Sequence, residues 1–562
     1  MTNELTTANR HFGITALTVE NFKAVRSACR VEFKPITLLF GPNSAGKSTI
    51  LQAMQFMREL LERQNADADR TIGGGDSVDL GGFRNFIQQH DPSRPVTVRI
   101  DFSLGDAALS TYGRITVDEA DSSDLRKDIA DNGIGDVRSA WVKVTCQWNE
   151  DKHRPFITRY EVGLNGQRIA EISSEVESSP CINFIDFDHP LFLRFDEAEG
   201  VKSPEDNSAR QELKMVYSFL SNRAASVSSF EGVQLDELKG DGAIPPFGRM
   251  LPLSVSLEEE SGQIATDLFS FLVSQILVGP GELLLRLLKG IRYLGPIRDV
   301  PPRNFVPQTS PDEARWASGL AAWDILFTSY DHDMHMGNAF FKDVNRMLGK
   351  EDELNLGYSL DLSEVYEIKD DSMIMQHLRM LRSDGGPEAD TGQLFRIPVL
   401  SELERLQSHR RLLLHDNVND TDVKPQDVGV GISQVLPVVV GAMAPKCSIF
   451  AVEQPELHIH PRIQCSLGDV FAREANKDDG RIFLIETHSE HLILRLLHRI
   501  RQTTDNECPP DRPSLRADQV AVYYIEGSSD GLRATSIPVT DDGDFGAKWP
   551  DGFFSERVEE LM

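Results

Sequence analysis

The sequence predicts an α/β protein whose parallel core sheet is interrupted by an antiparallel layer and a helical insertion. An apolar strand at 36–40 leads into a glycine-rich loop, and helices alternate with short apolar strands again from Gly429 onward. Between these parts, residues 95–195 alternate apolar and polar side chains and contain the hairpin signal Asn165-Gly166. We therefore expect the two halves of one core sheet to be separated by a long inserted stretch.

These changes of pattern divide the chain into six expected parts. In chain order they are a first core part with the glycine-rich loop, an antiparallel layer, a helical insertion, a loop-rich and helical lobe, a second core part and a small C-terminal module. Their ranges are 1–95, 96–207, 208–291, 292–428, 429–515 and 516–562. No heptad pattern persists over several heptads, so no long coiled coil is expected.

Composition and charge restrict the class of protein. The 562 residues are 40% hydrophobic and 26% charged, as in ordinary globular proteins, and a net charge of -29 disfavours broad coating of nucleic acid. No apolar run reaches the length of a membrane span, and residues 268–278 are expected to form a buried helix. A polar N-terminus and six scattered cysteines favour the cytoplasm.

The strongest functional signal is the loop Gly41-Pro42-Asn43-Ser44-Ala45-Gly46-Lys47-Ser48, a complete G-x-x-x-x-G-K-[ST] motif. Its glycines allow backbone N–H groups to point at phosphate oxygens, its lysine reaches the β- and γ-phosphates, and its last hydroxyl can bind Mg²⁺. The sequence thus predicts binding of ATP with Mg²⁺. The expected phosphate-binding residues are Asn43, Ser44, Ala45, Gly46, Lys47, Ser48 and Thr49.

Two later strands end in polar residues suited to the same nucleotide. The apolar run 447–452 ends at Glu453, whose carboxylate is expected to bind the Mg²⁺ ion together with Ser48. The apolar run 482–485 is followed by Glu486, Thr487 and His488, and the imidazole of His488 could hydrogen-bond the γ-phosphate.

A glycine-rich segment, residues 427–434, ends in Ser433-Gln434 at the start of an apolar helix. A helix N-terminus with unpaired N–H groups binds anions, so Gly431, Ser433 and Gln434 are candidate phosphate ligands. A simple helix cap is the alternative interpretation.

The P-loop, the Gly-Ser-Gln signature, the acidic strand end and the strand-end histidine together resemble the ABC-type ATPase heads of the SMC, RecF and OLD superfamily. The segments 452–461, 293–298 and 549–554 resemble more narrowly the PtuA-like ATPase subunit of Septu and retron-associated anti-phage systems. The resemblance implies an ABC-type head fold. It also implies that the signature of one subunit closes over the P-loop nucleotide of a second, with Glu453 as the Walker B acid and His488 as the switch.

The chain departs from the pattern of these heads at Gln454, where they usually carry the glutamate that activates water. An amide cannot accept the proton, so we expect slow hydrolysis, with Glu456 or His488 as helpers. The resemblance also implies a Q-loop glutamine near 79–90, and the sequence leaves Gln88 and Gln89 open.

The resemblance further implies a regulatory role. The chain would form a homodimer or higher oligomer through the nucleotide and would control an HNH-type nuclease subunit; a retron reverse transcriptase with its nucleic acid is a further candidate partner, and no membrane is involved. Two alternatives remain open. One is an OLD-like nuclease, since residues 523–530 resemble the start of a Toprim domain, and the other is a RecF-like DNA-repair ATPase.

Overall fold

The structure is a computed structural model in which the chain forms two compact units. The first comprises Met1–Tyr293, Pro445–Gln454 and Phe471–Met562, and the second comprises Leu294–Ala444 and Pro455–Val470. The structure describes residues 11–42, 45–68, 79–109, 137–175, 179–191, 233–235, 242–251, 260–303, 305–331, 336–349, 353–366, 368–372, 374–376, 379, 406, 408–477, 480–528, 531–547 and 549.

The strands are numbered in chain order through these residues. They are β1 (Gly13–Glu20), β2 (Cys29–Glu32), β3 (Ile36–Phe40), β4 (Val96–Ser103), β5 (Ser139–Asn149), β6 (Arg154–Leu164), β7 (Gln167–Ser173), β8 (Cys181–Ile185), β9 (Val233–Gln234), β10 (Ile291–Leu294), β11 (Tyr330–Asp331), β12 (Met336–Gly337), β13 (Tyr358–Tyr366), β14 (Ser408–Asp416), β15 (Thr421–Val423), β16 (Ile449–Glu453), β17 (Ile482–Glu486), β18 (Val520–Ser528) and β19 (Gly531–Ser536).

The α-helices are numbered in the same way. They are α1 (Ser48–Arg63), α2 (Phe83–Phe86), α3 (Glu260–Lys289), α4 (Glu313–Ala317), α5 (Leu320–Thr328), α6 (Ala339–Gly349), α7 (Val430–Met443), α8 (Pro461–Ala475) and α9 (Glu490–Thr504). Single 3₁₀ turns occur at Gln88–His90, Pro425–Asp427 and Ala517–Gln519.

A six-stranded mixed sheet forms the core of the first unit, in the order β10-β16-β17-β3-β18-β19. The pairs β16–β17, β17–β3 and β3–β18 are parallel, and β19 is antiparallel to β18. Strands that are distant in the chain are therefore neighbours, as the sequence predicts for one interrupted sheet. The carboxyl ends of β16, β17 and β3 lie at one edge, where open parallel sheets place their ligands.

The central strands are apolar on both faces because both faces are covered. All five residues of β3 are buried, and β16 and β17 each bury four residues before ending in a half-buried glutamate. Such strands show no alternation in the sequence. Their uninterrupted apolar character is what ends abruptly at Glu453 and Glu486.

A second sheet of the first unit is antiparallel, in the order β2-β1-β4-β5-β6-β7-β8-β9. The turn between β6 and β7 places Asn165 at φ 48° and Gly166 at φ 85°, as the Asn-Gly signal predicts. The antiparallel layer expected from residues 95–195 is thus present. It also contains β1, which pairs with β2 and β4, so this first strand does not join the core sheet.

Helix α3 is the predicted buried helix, and it packs against α1 and against strands β5, β6 and β7 of the antiparallel sheet. Its stretch Phe269–Lys289 has a mean hydropathy of 1.5 and is 83% buried inside the protein. Among the described helices this one is long and apolar enough to span a bilayer, but its apolar side chains are covered by protein. The Tyr160 hydroxyl donates a hydrogen bond of 2.8 Å to the carbonyl of Leu277.

The arrangement is an α/β fold with a core sheet, an antiparallel β layer and a helical insertion. The longest helix within the described residues is α3, with 30 residues, so this part of the chain contains no long coiled coil. One expected boundary differs from the structure. The described part of 516–562 contributes β18 and β19 to the core sheet rather than forming a separate module, because β18 pairs with β3.

The second unit contains the three-stranded antiparallel sheet β13-β14-β15 and the two-stranded sheet β11-β12. Helix α5 packs against β14 and α7, and α6 packs against β13 and α7. Helix α7, which carries the Gly-Ser-Gln segment, therefore belongs to this unit, whereas the P-loop belongs to the first.

The packing of α3 gives a stability prediction. Leu277 is fully buried, so Leu277→Ala should lower the free energy of unfolding by about 3 kcal/mol through lost transfer energy and a cavity. Leu494→Ala on α9 is the matched control. It changes the helix propensity in the same way as Leu277→Ala, but the Leu494 side chain is 44% exposed. Urea denaturation measures both variants. Equal losses would contradict the assignment of α3 to the core.

Candidate active site

The P-loop backbone fits against β18 and β19 only because two of its positions are glycine. Gly41 has φ 143°, and a Cβ atom there would lie 2.0 Å from the carbonyl oxygen of Ile525. Gly46 has φ 93°, and a Cβ atom there would lie 2.6 Å from the side chain of Leu532. The loop is thus packed so closely on these two strands that neither glycine position has room for a Cβ atom. The predicted ligands Asn43 and Ser44 lie outside the described residues.

Helix α1 begins directly after this loop and fixes the Lys47 side chain. Only 4% of Lys47 is exposed, and its ammonium donates hydrogen bonds to the carbonyls of Gly41 at 3.1 Å and Pro42 at 3.0 Å. Ala45 and Thr49 are buried on either side of it. The positive charge is therefore held at the start of the helix, the end that favours anions.

Glu486, at the end of β17, completes the surroundings of Lys47. One carboxylate oxygen lies 3.3 Å from the Lys47 ammonium, and the other accepts a 3.4 Å hydrogen bond from the Ser48 hydroxyl. No role was predicted for Glu486 from the sequence alone. The signal that could have found it is its position, since it ends an apolar strand just as Glu453 does.

Glu453 lies beside Glu486, because β16 and β17 pair in parallel with these two residues in register. The Tyr293 hydroxyl, from the strand β10 that borders β16, donates a hydrogen bond to the Glu453 carboxylate. Burial, followed by the negative charge of Glu453, raises the pKa of Tyr293, so the phenol stays protonated and keeps donating. The sequence analysis did not assign this positioning contact either.

The surroundings shift the pKa values of two further side chains, Glu486 and His488. Burial, reinforced by the charge of Glu453, raises the pKa of the Glu486 carboxyl, although Lys47 and Ser48 oppose this shift. Burial and then the nearby Lys47 charge lower the pKa of His488. His488 is therefore neutral at pH 7, and a neutral imidazole can both donate and accept a hydrogen bond.

Gln454 follows Glu453 in a left-handed backbone conformation, with φ 45°. Its backbone N–H donates a 2.7 Å hydrogen bond to the carbonyl of Glu486, which fixes the turn at the strand end. A non-glycine residue in this region of backbone space is strained, and such strain is concentrated at functional sites. The predicted helper Glu456 lies in the second unit, where its charge acts on the buried Arg298.

The signature residues occupy a different environment from the expected one. Ser433 is 2% exposed and donates to the carbonyl of Val430 at 2.9 Å, while Gln434 is 7% exposed and donates to the carbonyl of Arg298 at 2.9 Å. Both side chains thus bind groups of their own unit rather than facing a second subunit. At Gly431 an added Cβ atom would lie 3.2 Å from the carbonyl of His458, and Val430 is the exposed side chain at the helix start.

The two Q-loop candidates differ in burial. Gln88 is 6% exposed, its backbone N–H donates to the carbonyl of Asn21 at 3.1 Å, and its side-chain oxygen has no hydrogen-bond partner within the described residues. Gln89 is exposed and has φ 55°. A buried amide oxygen without a partner is costly unless a ligand or water satisfies it, which favours Gln88.

The first unit therefore brings together Gly41, Gly46, Lys47, Ser48, Glu453, Gln454, Glu486 and His488. The glycine-rich loop and the buried ammonium fit a phosphate chain. The hydroxyl of Ser48 and the carboxylate oxygens of two glutamates are the hard oxygen ligands that Mg²⁺ prefers.

The contacts of Arg298 predict how the signature helix is stabilised. Its guanidinium donates to the carbonyl of Gln434 at 3.3 Å, and burial lowers its pKa to about 10 although Glu456 opposes this. Arg298→Ala should cost about 3 kcal/mol of unfolding free energy, because buried polar partners lose their hydrogen bonds. Arg303→Ala, which removes a 70% exposed arginine paired with Asp427, should cost no more than about 1 kcal/mol. The prediction is wrong if urea denaturation shows that Arg298→Ala loses less unfolding free energy than Arg303→Ala.

Two family models match separate parts of the chain. One, described as "AAA ATPase domain", matches residues 13–135, and the other, described as "AAA domain, putative AbiEii toxin, Type IV TA system", matches residues 309–495. The first match includes the P-loop, and the second includes the signature, Glu453 and His488. No curated protein matches the sequence significantly.

Solved structures of SMC heads resemble the chain weakly. The Smc head domain with an extended coiled coil, bound to the C-terminal domain of ScpA and derived from Pyrococcus furiosus, is 10% identical with a TM-score of 0.35, covering 98% of each chain. The SMC head domain from Thermotoga maritima is 7% identical with a TM-score of 0.33, covering 94% of this chain and 100% of that one. Because TM-scores this low do not establish a common fold, the fold assignment rests on sheet topology. The two AAA-domain matches and the P-loop together support an ATPase.

Proposed function

We propose that this protein is an ATP-binding, slowly hydrolysing ABC-like ATPase that dimerises around nucleotide and regulates a nuclease effector in anti-phage defence. The observation that carries the ATPase part is the buried ammonium of Lys47, placed beside Ser48 and two strand-end glutamates at the carboxyl edge of the core sheet. The amide of Gln454 stands where a catalytic carboxylate is expected.

In this function each residue performs a separate task. Lys47 binds the β- and γ-phosphates, and Gly41 and Gly46 let the loop approach them closely. Ser48 and Glu453 hold the magnesium ion, and Tyr293 orients Glu453 through its hydroxyl. Bound magnesium neutralises charge on the β- and γ-oxygens.

Hydrolysis is slow because Gln454 cannot accept a proton from water, although its amide can orient one. His488 is one helper in hydrolysis, since its lowered pKa keeps the imidazole neutral and able to hydrogen-bond the γ-phosphate or the water. Glu456 is the other helper. Slow turnover suits a regulator, because the nucleotide-bound state then persists long enough to hold a partner.

Dimerisation uses the start of α7. The side chains of Ser433 and Gln434 are turned into their own unit, so we take the contact with a second subunit to be made by the backbone at Gly431 and by the 60% exposed Val430. A helix N-terminus attracts phosphate without needing a hydroxyl. We therefore assign the contact in trans to this backbone.

The effector part of the proposal rests on resemblance. Residues 452–461, 293–298 and 549–554 resemble PtuA-like subunits, which implies an HNH-type nuclease partner, with a retron reverse transcriptase as a further candidate. The second matching family model is described as "AAA domain, putative AbiEii toxin, Type IV TA system", and we take this description as support for a defence role over DNA repair. The OLD-like nuclease alternative drew on residues 523–530, and the pairing of β18 within the ATPase sheet argues against it.

The hydrolysis step is tested by Gln454→Glu. A carboxylate at this position can accept the proton, so the steady-state rate of phosphate release should rise at least about tenfold, since a positioned base contributes about a hundredfold or more. Lys47→Ala should abolish binding of ATP and serves as the background control. An unchanged rate in a Gln454→Glu variant that still binds ATP would show that this position does not limit hydrolysis.

Nucleotide-dependent association is tested by size-exclusion chromatography with light scattering. The purified chain should shift to a dimer or larger oligomer with Mg²⁺ and a non-hydrolysable ATP analogue, and Val430→Asp should prevent the shift by placing a negative charge beside the nucleotide. Val418→Asp is the control, because Val418 is 82% exposed in a β-turn of the same unit. The isolated chain should leave DNA and RNA intact, and cleavage by it alone would favour the nuclease alternative.

A further inference from the structure

The Glu486 carboxylate contacts the two P-loop side chains, Lys47 and Ser48, that would otherwise bind the nucleotide and its metal ion. Its two carboxylate oxygens are divided between the Lys47 ammonium, at 3.3 Å, and the Ser48 hydroxyl, at 3.4 Å. These are the same two groups that a P-loop offers to a nucleotide with its magnesium ion. A phosphate chain that takes both Lys47 and Ser48 would therefore compete with the carboxylate of Glu486.

A displaced Glu486 cannot move away from negative charge. Parallel pairing holds its backbone in register with Glu453, and the carbonyl of Glu486 is fixed by the N–H of Gln454 at 2.7 Å. Two carboxylates on adjacent strand ends, next to a triphosphate, repel one another strongly in a partly buried site. A cation bound among them would relieve that repulsion.

The two glutamates are not equivalent. Glu453 accepts a hydrogen bond from the Tyr293 hydroxyl, while Glu486 contacts the Lys47 ammonium. Glu486 therefore loses its cationic partner when a phosphate claims Lys47. Carboxylate oxygens and a Ser hydroxyl are suitable Mg²⁺ ligands, and Glu486 already contacts that hydroxyl.

We propose that Glu486 is a second carboxylate of the magnesium site, which exchanges its contact with Lys47 for the metal ion when MgATP binds. This inference rests on the proposed ATP-binding function. It makes nucleotide binding depend on the divalent ion, since ATP without metal would compete with Glu486 for Lys47 and would lie beside both carboxylates with no added cation. Gln454 and Glu453 keep the roles already given to them.

The test compares the Kd of ATP measured with Mg²⁺ and with EDTA, by isothermal titration calorimetry on the full chain. In the wild type, ATP in EDTA should bind at least about tenfold more weakly than MgATP, which corresponds to about 1.4 kcal/mol of charge repulsion. In Glu486→Gln the amide carries no charge, so ATP in EDTA should bind about tenfold more tightly than in the wild type, and the ratio of the two Kd values should fall accordingly.

The control is Glu507→Gln, which removes the same charge from an exposed position of the first unit and should leave the ratio unchanged. Glu486→Ala, expected to act in the same direction, replaces Glu486→Gln if circular dichroism shows that the amide variant is unfolded. Equal wild-type affinity in Mg²⁺ and EDTA, or an unchanged ratio in a folded Glu486 variant, overturns the inference alone. Absence of any ATP binding by the wild type overturns the proposed function as well.

Discussion

The buried ammonium of Lys47 is the constraint on which the rest of the site depends. A charge that is 4% exposed must be compensated inside the protein, and here two loop carbonyls and one carboxylate do so. The carbonyls of Gly41 and Pro42 can reach Lys47 only if the loop curls tightly, which requires glycine at φ 143°. The carboxylate can reach it only if β17 ends beside β3. Loop shape and strand order are thus tied to one charged group.

The sequence predicted the parts of this site that depend on local chain geometry. The P-loop motif specifies a turn, a lysine and a helix start within eight consecutive residues, and the apolar runs before Glu453 and His488 specify strand ends. It could not predict the contact of Glu486, because Ser48 and Glu486 are 438 positions apart and meet only through the pairing of β17 with β3. When a strand is apolar on both faces, its own sequence does not indicate which strand it pairs with.

The same limit explains the other differences. Glycines and Ser433-Gln434 correctly marked the start of a helix, but the burial of Gln434 depends on Arg298, 136 positions away. Likewise nothing local in the sequence assigned β1 to the antiparallel sheet or β18 to the core. The local sequence pattern indicates whether a segment forms a helix or a strand. Which elements lie next to each other depends on the packing of the whole unit.

The register between β16 and β17 has a consequence for how this protein can change during evolution. Because Glu453 and Glu486 are directly paired, their side chains lie on the same face of the sheet. Loss or gain of one residue in either strand would turn one glutamate to the opposite face, since side chains alternate with a period of two. Point substitutions can therefore alter the chemistry of this site gradually, whereas a one-residue insertion or deletion between Ile449 and Glu453 would remove it in a single event.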